Sequence, residues 1–431
     1  MRLAPRRRLT AALAVLAAVA VVGTVLLTMG RRQPAVASAY PWETLPAPVL
    51  AEPQRRWAVE LAGGPPERVA ASAERIFIAR AHDADVTISA LAAPDGQTLW
   101  QADVDAPGSS VMQLVLSGDV LVAVTGSNGV QAGVSTFDAA TGSRRWQATI
   151  DASWVTVVDG TVPLMVLSGP SPRVATRVDA LDLATGQPRW SRSGVVGDLD
   201  GGRLALVEND DVLTVDIADG HETGRWPGVA RGMVARTVVV SGSHVVVLSE
   251  DDLRLAGVGS SQLDGSLDPG IGQLFTTIRT GGDQVTVLSQ DGVAGIDLRS
   301  GRIQWSRGVT PRALARTDGR TILLGWSDRS TGTMITIDAG NGREEGIRDV
   351  EGLVRRPRDR RASYIARADY LADGATYQVS GGGSVEAYDL PGLQALWTLD
   401  AIELGATARD VTATEAGLLI TTTSGGILLY R

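Results

Sequence analysis

A short phrase recurs along this chain at intervals of about 43 residues, and it constrains the fold more than any other feature. An apolar stretch precedes an Asp, a small turn ends in Gly, and a Trp stands four residues further on. The clearest copies are Thr136–Trp146, Ala180–Trp190 and Gly295–Trp305, with looser ones around Trp100, Trp226 and Trp397. Self-similarity at this period is typical of a radial or solenoid repeat.

Each residue of the phrase has a local physical role. The apolar run predicts a strand, and a short carboxylate at its end can accept hydrogen bonds from the amides of the next turn. The glycine supplies the positive φ that reverses the chain, and the Trp opens the returning strand with a large face to bury. The predicted capping residues are Asp138, Asp182, Asp216, Asp297, Asp338 and Asp389, and the turn glycines are Gly96, Gly142, Gly186, Gly220, Gly301 and Gly342.

The tryptophans place the repeats in register. The sequence assigns seven of the ten to one repeat position, namely Trp57, Trp100, Trp146, Trp190, Trp226, Trp305 and Trp397. Two copies are degenerate: Gly346 stands in the Trp position of one, and the position falls near Ser261–Leu263 in the other.

Two more short strands precede each phrase, so that each unit contains about four antiparallel strands. A four-stranded sheet cannot bury both faces alone, and such units therefore stack and close a ring. We predict an all-β fold, a β-propeller of about eight four-stranded blades. The turns number nine, and seven to nine blades remain open.

The two ends of the repeat region predict how the ring closes. Gly426–Arg431 has the pattern of a third strand cut off before its turn, and Arg55–Glu60 that of a fourth strand without predecessors. Pairing the two segments completes one blade and hides two open sheet edges.

The first 54 residues predict an anchor and a tether. Residues 9–29 carry no charge and as a helix would rise about 31 Å, enough to cross a hydrocarbon core. The four arginines before this segment outnumber the two after it, which predicts a cytoplasmic tail over residues 1–8 and an exported remainder. A cleaved signal peptide is the alternative, giving a secreted protein. The prolines of residues 30–54 predict an extended linker, followed by the propeller over 55–431.

The composition excludes several classes of chemistry. The chain has no Cys, which excludes disulfides, thiolate metal sites and a Cys nucleophile, and it has no Lys, which excludes a Schiff-base or P-loop lysine. Its net charge is −8, and the first 32 residues alone hold six of its 40 basic residues. An acidic exported part is a poor partner for nucleic acid.

The repeat phrase resembles that of quinoprotein-type propellers, the eight-bladed family of pyrroloquinoline-quinone dehydrogenases and their non-catalytic relatives. The resemblance covers roughly residues 55–431 and implies a propeller of PQQ-like repeats. Catalytic members of that family need calcium, a quinone-stacking Trp and often a disulfide of adjacent cysteines. This chain has no cysteines, and no matching motif surrounds its spare Trp154 and Trp326. We therefore expect the non-catalytic branch, with no cofactor.

Other candidate catalytic or metal-binding residues are isolated. His82, His221 and His244 form no pair at metal-ligand spacing. The acidic clusters 208–211 and 250–252 lack the alternating oxygen ligands of a calcium loop and are interpreted as solvated hairpin turns.

One basic cluster remains as a candidate binding site. Arg355, Arg356, Arg358, Arg360 and Arg361 lie within seven residues of an otherwise acidic protein. They could bind an anionic partner, such as a cell-envelope polymer or an acidic protein face, or form only a solvated loop. The sequence favours a membrane-anchored, extracytoplasmic interaction or scaffold module. The alternatives are a quinone-dependent dehydrogenase and a propeller that senses a small ligand or saccharide.

Overall fold

The structure is a computed structural model that describes most of the predicted propeller. The described residues are 49, 51–61, 65–82, 85–104, 111–126, 132–150, 154–156, 164–168, 176–200, 202–232, 237–241, 244–248, 253–257, 265–266, 276–279, 284–288, 292–297, 300, 302–308, 321–328, 331–351, 371–372, 375–380, 382–390 and 392–431. The predicted cytoplasmic tail and anchor, residues 1–29, lie outside them.

The described strands form nine antiparallel sheets, which we number in chain order. Sheet 1 contains β2 (Arg68–Ala71), β3 (Arg75–His82), β4 (Asp85–Ala92) and β5 (Thr98–Val104). Sheet 2 contains β6 (Val111–Ser117), β7 (Val120–Gly126), β8 (Ala132–Asp138) and β9 (Arg144–Ile150). Sheet 3 contains β10 (Trp154–Thr156), β11 (Leu164–Ser168), β12 (Arg177–Leu181) and β13 (Pro188–Ser193).

The next three sheets repeat this order. Sheet 4 contains β14 (Val195–Asp200), β15 (Arg203–Glu208), β16 (Asp211–Asp216) and β17 (Glu222–Trp226). Sheet 5 contains β18 (Thr237–Ser241), β19 (His244–Leu248), β20 (Leu253–Gly257) and β21 (Gly265–Ser266). Sheet 6 contains β22 (Thr276–Arg279), β23 (Gln284–Leu288), β24 (Gly292–Asp297) and β25 (Arg302–Gly308).

The last three sheets include the one that unites the ends of the ring. Sheet 7 has three described strands, β26 (Thr321–Asp328), β27 (Thr331–Asp338) and β28 (Glu344–Glu351). Sheet 8 contains β29 (Leu371–Ala372), β30 (Ala375–Val379), β31 (Val385–Asp389) and β32 (Ala395–Leu399). Sheet 9 contains β33 (Ala408–Thr414), β34 (Gly417–Thr422), β35 (Gly426–Tyr430) and β1 (Arg55–Glu60). The short helix α1 (Ala401–Leu404) joins the last two sheets.

These sheets confirm the all-β propeller, while the number of units differs from the expectation. The described residues hold nine sheets, so the count of eight is not confirmed, although nine lies in the range left open. Eight sheets have the four strands expected of a unit. The difference arises because the expected number of eight follows the eight-bladed family that the phrase resembles, whereas the sequence itself contains nine turns.

The strand order fixes what each end of a sheet presents. Because neighbouring strands are antiparallel, the hairpin between strands one and two lies beside the Asp–Gly turn between strands three and four. We call this the turn end. The opposite end carries the hairpin between strands two and three and the connection to the next sheet, and we call it the connection end.

Tryptophan docking holds successive sheets together, and it explains the repeat glycine more fully than turn geometry does. The indole N–H of Trp146 donates to the carbonyl of Leu183 in the next sheet at 2.8 Å, and that of Trp190 donates to Ile217 at 2.9 Å. The same bond joins Trp57 to Ala93, Trp100 to Ala139 and Trp305 to Ala339, each acceptor lying three residues before a turn glycine. In each of these five pairs of sheets, the bond attaches the Trp of one sheet to the turn end of the next.

The turn positions require glycine for two reasons, the positive φ of the backbone and the close approach of the tryptophan ring. Gly142 has φ 74°, and a Cβ there would lie 2.6 Å from Cδ2 of Trp100. Gly186, Gly220 and Gly342 have φ of 71°, 73° and 69°, with the ring of the preceding sheet's Trp at 2.8, 2.7 and 2.5 Å from such a Cβ. The Trp and the Gly thus form one contact between two sheets.

The predicted closure of the ring is confirmed. β1 pairs antiparallel with β35, in a register that sets Ala58 opposite Leu428 and Glu60 opposite Gly426. The closing sheet has the order β1-β35-β34-β33, so its fourth strand comes from the beginning of the repeat region. Ile427, Leu428 and Leu429 are at most 4% exposed.

The end of the predicted linker is bound to the closing sheet. Since the two ends of the repeat region meet there, the closing sheet has no Asp–Gly turn for Trp397 of sheet 8 to contact. The carbonyl of Val49 accepts the Trp397 indole N–H at 2.9 Å, and the N–H of Val49 donates to the Tyr377 hydroxyl at 2.7 Å. Gln54 and Arg431 exchange two backbone hydrogen bonds beside them. Val49 therefore supplies the contact that a turn makes elsewhere.

The placement of Trp226 at the repeat position is wrong by two residues. Gly224 occupies that position, because it pairs with Thr214 as Trp146 pairs with Thr136. Trp226 pairs instead with Val212 and lies on the same face, 3% exposed. It still packs between sheets 4 and 5, next to Val238 and Val245. Residues two apart on a strand lie on the same face, so Trp226 is buried as the repeat position requires. The sequence pattern therefore does not reveal the shift.

The degenerate copy at Gly346 is confirmed and has a compensating change in the next sheet. Gly346 pairs with Thr336 in the Trp position. At the matching turn of sheet 8, Leu393 takes the place of the glycine, with φ 53° and 1% exposure. Its N–H donates to the Asp389 carbonyl, as that of Gly142 does to Asp138. A side chain is tolerated at this turn because no indole covers it.

This exchange predicts strong coupling between positions 346 and 393. We expect Gly346→Trp alone to destabilise the protein, because the new indole meets the buried Leu393. Leu393→Gly alone should cost about 1–2 kcal/mol, since the lost burial outweighs the relieved backbone strain. The double variant restores the usual pair and should be more stable than the sum of the single changes by at least about 1 kcal/mol. Urea unfolding of the four proteins measures this, and strictly additive effects would contradict the interpretation.

Among the described residues, no helix is both long and apolar enough to cross a membrane. The predicted anchor at 9–29 lies outside this part of the chain.

Candidate interaction surface

The predicted arginine cluster lies in a connection between two sheets. Arg355, Arg356, Arg358, Arg360 and Arg361 fall within residues 352–370, outside the described residues. The described strands on either side are β28, the last strand of sheet 7, and β29, the first of sheet 8.

The seam between sheets 7 and 8, where this connection begins, is the one in which Gly346 replaces the Trp. Arg348, two residues after Gly346 on the same face of β28, crosses the seam instead. Its guanidinium lies over the Tyr388 ring, 4.4 Å from the centroid, and donates to the Leu393 carbonyl at 3.4 Å. A cation–π contact and a hydrogen bond thus take over part of the indole's docking role.

A polar network continues from Tyr388 toward the connection end. The Gln378 side-chain amide donates to the Tyr388 hydroxyl at 2.9 Å and to Oε2 of Glu386 at 2.7 Å. The Tyr388 hydroxyl donates in turn to the same Glu386 oxygen. Burial, together with the Glu386 carboxylate, raises the pKa of Tyr388 to about 12, so the hydroxyl keeps its proton at neutral pH.

Arginines two residues after the Trp position form a second set of contacts between sheets. Arg192 donates to the Gly220 carbonyl at 2.9 Å, as Arg348 does to Leu393. Arg307 forms an ion pair with Glu344 of the next sheet at 3.6 Å. The sequence interpretation missed these residues, although their fixed distance from the Trp position was a usable signal.

The predicted capping role of the repeat Asp residues is confirmed at the described turns. Oδ1 of Asp138 accepts from the amides of Ala140 and Thr141 at 3.1 and 2.9 Å. The Arg145 guanidinium, with smaller contributions from Thr141 and Ala140, lowers the pKa of Asp138 to about 2. Asp182, Asp216, Asp297 and Asp338 cap their turns in the same way. These carboxylates are structural.

The other candidate residues do not come together. His221 lies in an exposed turn, with Nδ1 2.5 Å from Asp219, and His82 and His244 lie on strands of different sheets. The acidic cluster 208–211 is the hairpin between β15 and β16, as predicted, while 250–252 lies outside the described residues. Across the part of the chain that the structure describes, no group of three His, Asp or Glu side chains is placed to hold a metal ion.

The two spare tryptophans lie in different sheets. Trp154 begins β10, the first strand of sheet 3, and Trp326 lies on β26 of sheet 7, opposite Thr333. Their backbone positions assign them to different sheets rather than to one binding site.

Comparisons with known proteins agree with the fold. Residues 49–194 match the family model described as outer membrane protein assembly factor BamB, a match that covers sheets 1 to 3 and less than half of the chain. No curated protein matches the sequence. The crystal structure of BamB from Moraxella catarrhalis is similar over 88% of this chain and all of that one, with 14% identity and a TM-score of 0.52. A quinohemoprotein alcohol dehydrogenase from Pseudomonas putida is similar over 88% of this chain and 73% of its own, with 11% identity and a TM-score of 0.47. The resemblance to PQQ-like repeat propellers is confirmed.

Proposed function

We propose that this PQQ-like repeat β-propeller is a non-catalytic interaction or scaffold module, tethered to the bacterial cell membrane and presented outside the cytoplasm. The observation that carries the proposal is the construction of the ring. Indole and guanidinium contacts join successive sheets at several seams, and the two ends of the repeat region pair with each other in the closing sheet. A rigid ring presents many loops on fixed faces, which suits protein recognition.

The family match supports the envelope setting of this proposal, because its model is described as an outer membrane protein assembly factor. The exported side follows from the charge asymmetry around residues 9–29, and cleavage of that segment would give a secreted form. We take each of the nine sheets as one blade.

The segment 355–361 is the surface we assign to the partner. It contains Arg355, Arg356, Arg358, Arg360 and Arg361, within a protein of net charge −8. Such a local excess of guanidinium groups suits an acidic protein face or an anionic envelope polymer, to which arginine can bind in a bidentate manner. The partner is accordingly not a nucleic acid, because the rest of the exported surface is acidic.

A charge-removal experiment tests this surface. Replacement of the five arginines of 355–361 by Ser is expected to lower partner capture about tenfold or more. The reason is that each ion pair at the solvent-exposed rim of an interface contributes about 0.2–1 kcal/mol, and five are lost. The measurement is photo-cross-linking in intact cells followed by mass spectrometry, with the unaltered protein as reference.

The matched control removes five exposed arginines elsewhere, namely Arg56, Arg144, Arg203, Arg302 and Arg343. This variant changes the net charge equally and should capture the partner as well as the unaltered protein. Equal capture by the 355–361 variant, with its melting temperature unchanged, would refute the assignment. Dye reduction after addition of quinone and calcium would refute the non-catalytic proposal.

A further inference from the structure

We propose that the seam between sheets 7 and 8 contains a binding site for a guanidinium group, formed by Gln378, Glu386 and Tyr388. The site differs from the arginine surface described above and does not depend on that function. All three residues lie on the face of sheet 8 that is turned toward sheet 7. Tyr377 and Ala387, their neighbours along the strands, pack on the opposite face against sheet 9.

The first observation is a buried acceptor without a donor. Gln378 is 7% exposed, and its Oε1 has no hydrogen-bond partner among the described residues. The amide orientation is set by its surroundings, because the Nε2 group lies between the Glu386 carboxylate and the Tyr388 hydroxyl and donates to both. A buried carbonyl oxygen left unpaired is costly, so this position calls for a donor.

The second observation concerns which oxygen of the neighbouring Glu386 carboxylate accepts hydrogen bonds. Both hydrogen bonds to Glu386 reach Oε2, one from Gln378 and one from Tyr388. Glu386 is half-buried, so its carboxylate is partly accessible to solvent. A carboxylate beside an unpaired carbonyl presents two acceptors close together. The planar fork of a guanidinium matches such a pair, whereas a single hydroxyl or amide does not supply the charge.

The cation already in the seam cannot fill this role without breaking its own contacts. Arg348 lies over the ring of Tyr388 and donates to the Leu393 carbonyl, toward the turn end. Its charge offsets that of Glu386, so the site has little net charge. We therefore expect modest affinity, determined by hydrogen-bond geometry more than by attraction over distance.

Two sources can supply the guanidinium. One is an arginine of this chain from residues 355–361, which follow β28, the strand that forms the other wall of the seam. The other is an arginine of a partner protein. The chemistry is the same in both, and the experiment below separates them.

Methylguanidinium is the probe, and thermal melting of the full-length chain is the measurement. Three proteins are compared: the unaltered chain, the variant with the five arginines of 355–361 changed to Ser, and Glu386→Gln. Binding to the folded state at ten times Kd should raise the melting temperature by about 2 °C. Methylammonium chloride at equal concentration is the control, because it supplies the same charge and ionic strength but lacks the planar, forked donors of a guanidinium.

The proteins whose melting temperature rises identify the source of the guanidinium. A rise only in the arginine-to-Ser variant means that an arginine of the chain occupies the site in the unaltered protein. A rise in both means that the site is open to a partner. In either case Glu386→Gln should remove the rise. No rise in any protein, or an equal rise in Glu386→Gln or with methylammonium, overturns the proposal.

Hydrogen exchange provides a second readout should Glu386→Gln fail to fold. In the arginine-to-Ser variant, methylguanidinium should slow exchange at the amides of residues 378 and 386 and leave those of residues 178 and 205 in sheets 3 and 4 unchanged. Unchanged exchange throughout also overturns the proposal. Loss of partner capture without any probe effect would leave the proposed function standing and reject this site alone.

Discussion

Deletion of Gly426–Arg431 is expected to abolish the folded propeller. The segment contains β35, which lies between β1 and β34 in the closing sheet, so its loss leaves β1 without a partner. It also removes Ile427, Leu428, Leu429 and Tyr430, all of which are at most 4% exposed. Burial of four such side chains contributes about 6–12 kcal/mol, which matches the whole stability of a typical protein. Circular dichroism and soluble yield of the truncated chain measure the effect.

A pair of substitutions across the same strands serves as the control. Leu428→Asp places a charge in the core and should unfold the closing sheet, whereas Ala58→Asp, at the exposed position opposite it, should be tolerated. A truncated chain that keeps the spectrum and melting temperature of the complete one would show that the closing sheet is dispensable.

The second large effect is expected at the contact between Trp100 and Gly142. Gly142→Ala combines an unfavourable φ of 74° with a Cβ placed 2.6 Å from the indole, and should cost about 2–4 kcal/mol. Gly118→Ala is the matched control. Gly118 also has a positive φ, 57°, but a Cβ there would have nothing within 4 Å. It should cost only about 1 kcal/mol.

Urea unfolding measures both variants, and a third protein isolates the cause. In a Trp100→Ala background, Gly142→Ala should cost no more than Gly118→Ala, because the indole is gone. Equal costs for the two glycines in the original protein would mean that the turn alone, and not its contact with the preceding sheet, requires glycine at position 142.

The sequence predicted those features that depend on residues close together in the chain. An Asp followed by a turn and a Gly carries its own hydrogen bonds, so the capped turns of Asp138 and Asp182 could be predicted residue by residue. The pairing of β1 with β35 was also predictable, because two incomplete repeat units at the ends of a ring have only each other to complete them.

The features that the sequence pattern missed all join residues distant along the chain. Nothing near Val49 indicates that its carbonyl accepts from Trp397, a partner 348 residues away. The shift of Trp226 by two residues preserved the strand face, and Leu393 broke the glycine rule only because Gly346 in the preceding sheet lacks an indole.

The amino-acid sequence by itself therefore determined the repeat, the turns, the all-β class and the closure of the ring, because strand period and turn chemistry act over a few residues. Only the tertiary structure decided how a seam is filled, whether by an indole, by a guanidinium or by contact with Val49. A seam is a contact between two faces whose side chains come from different repeats, and its packing depends on the space that both leave rather than on either sequence alone.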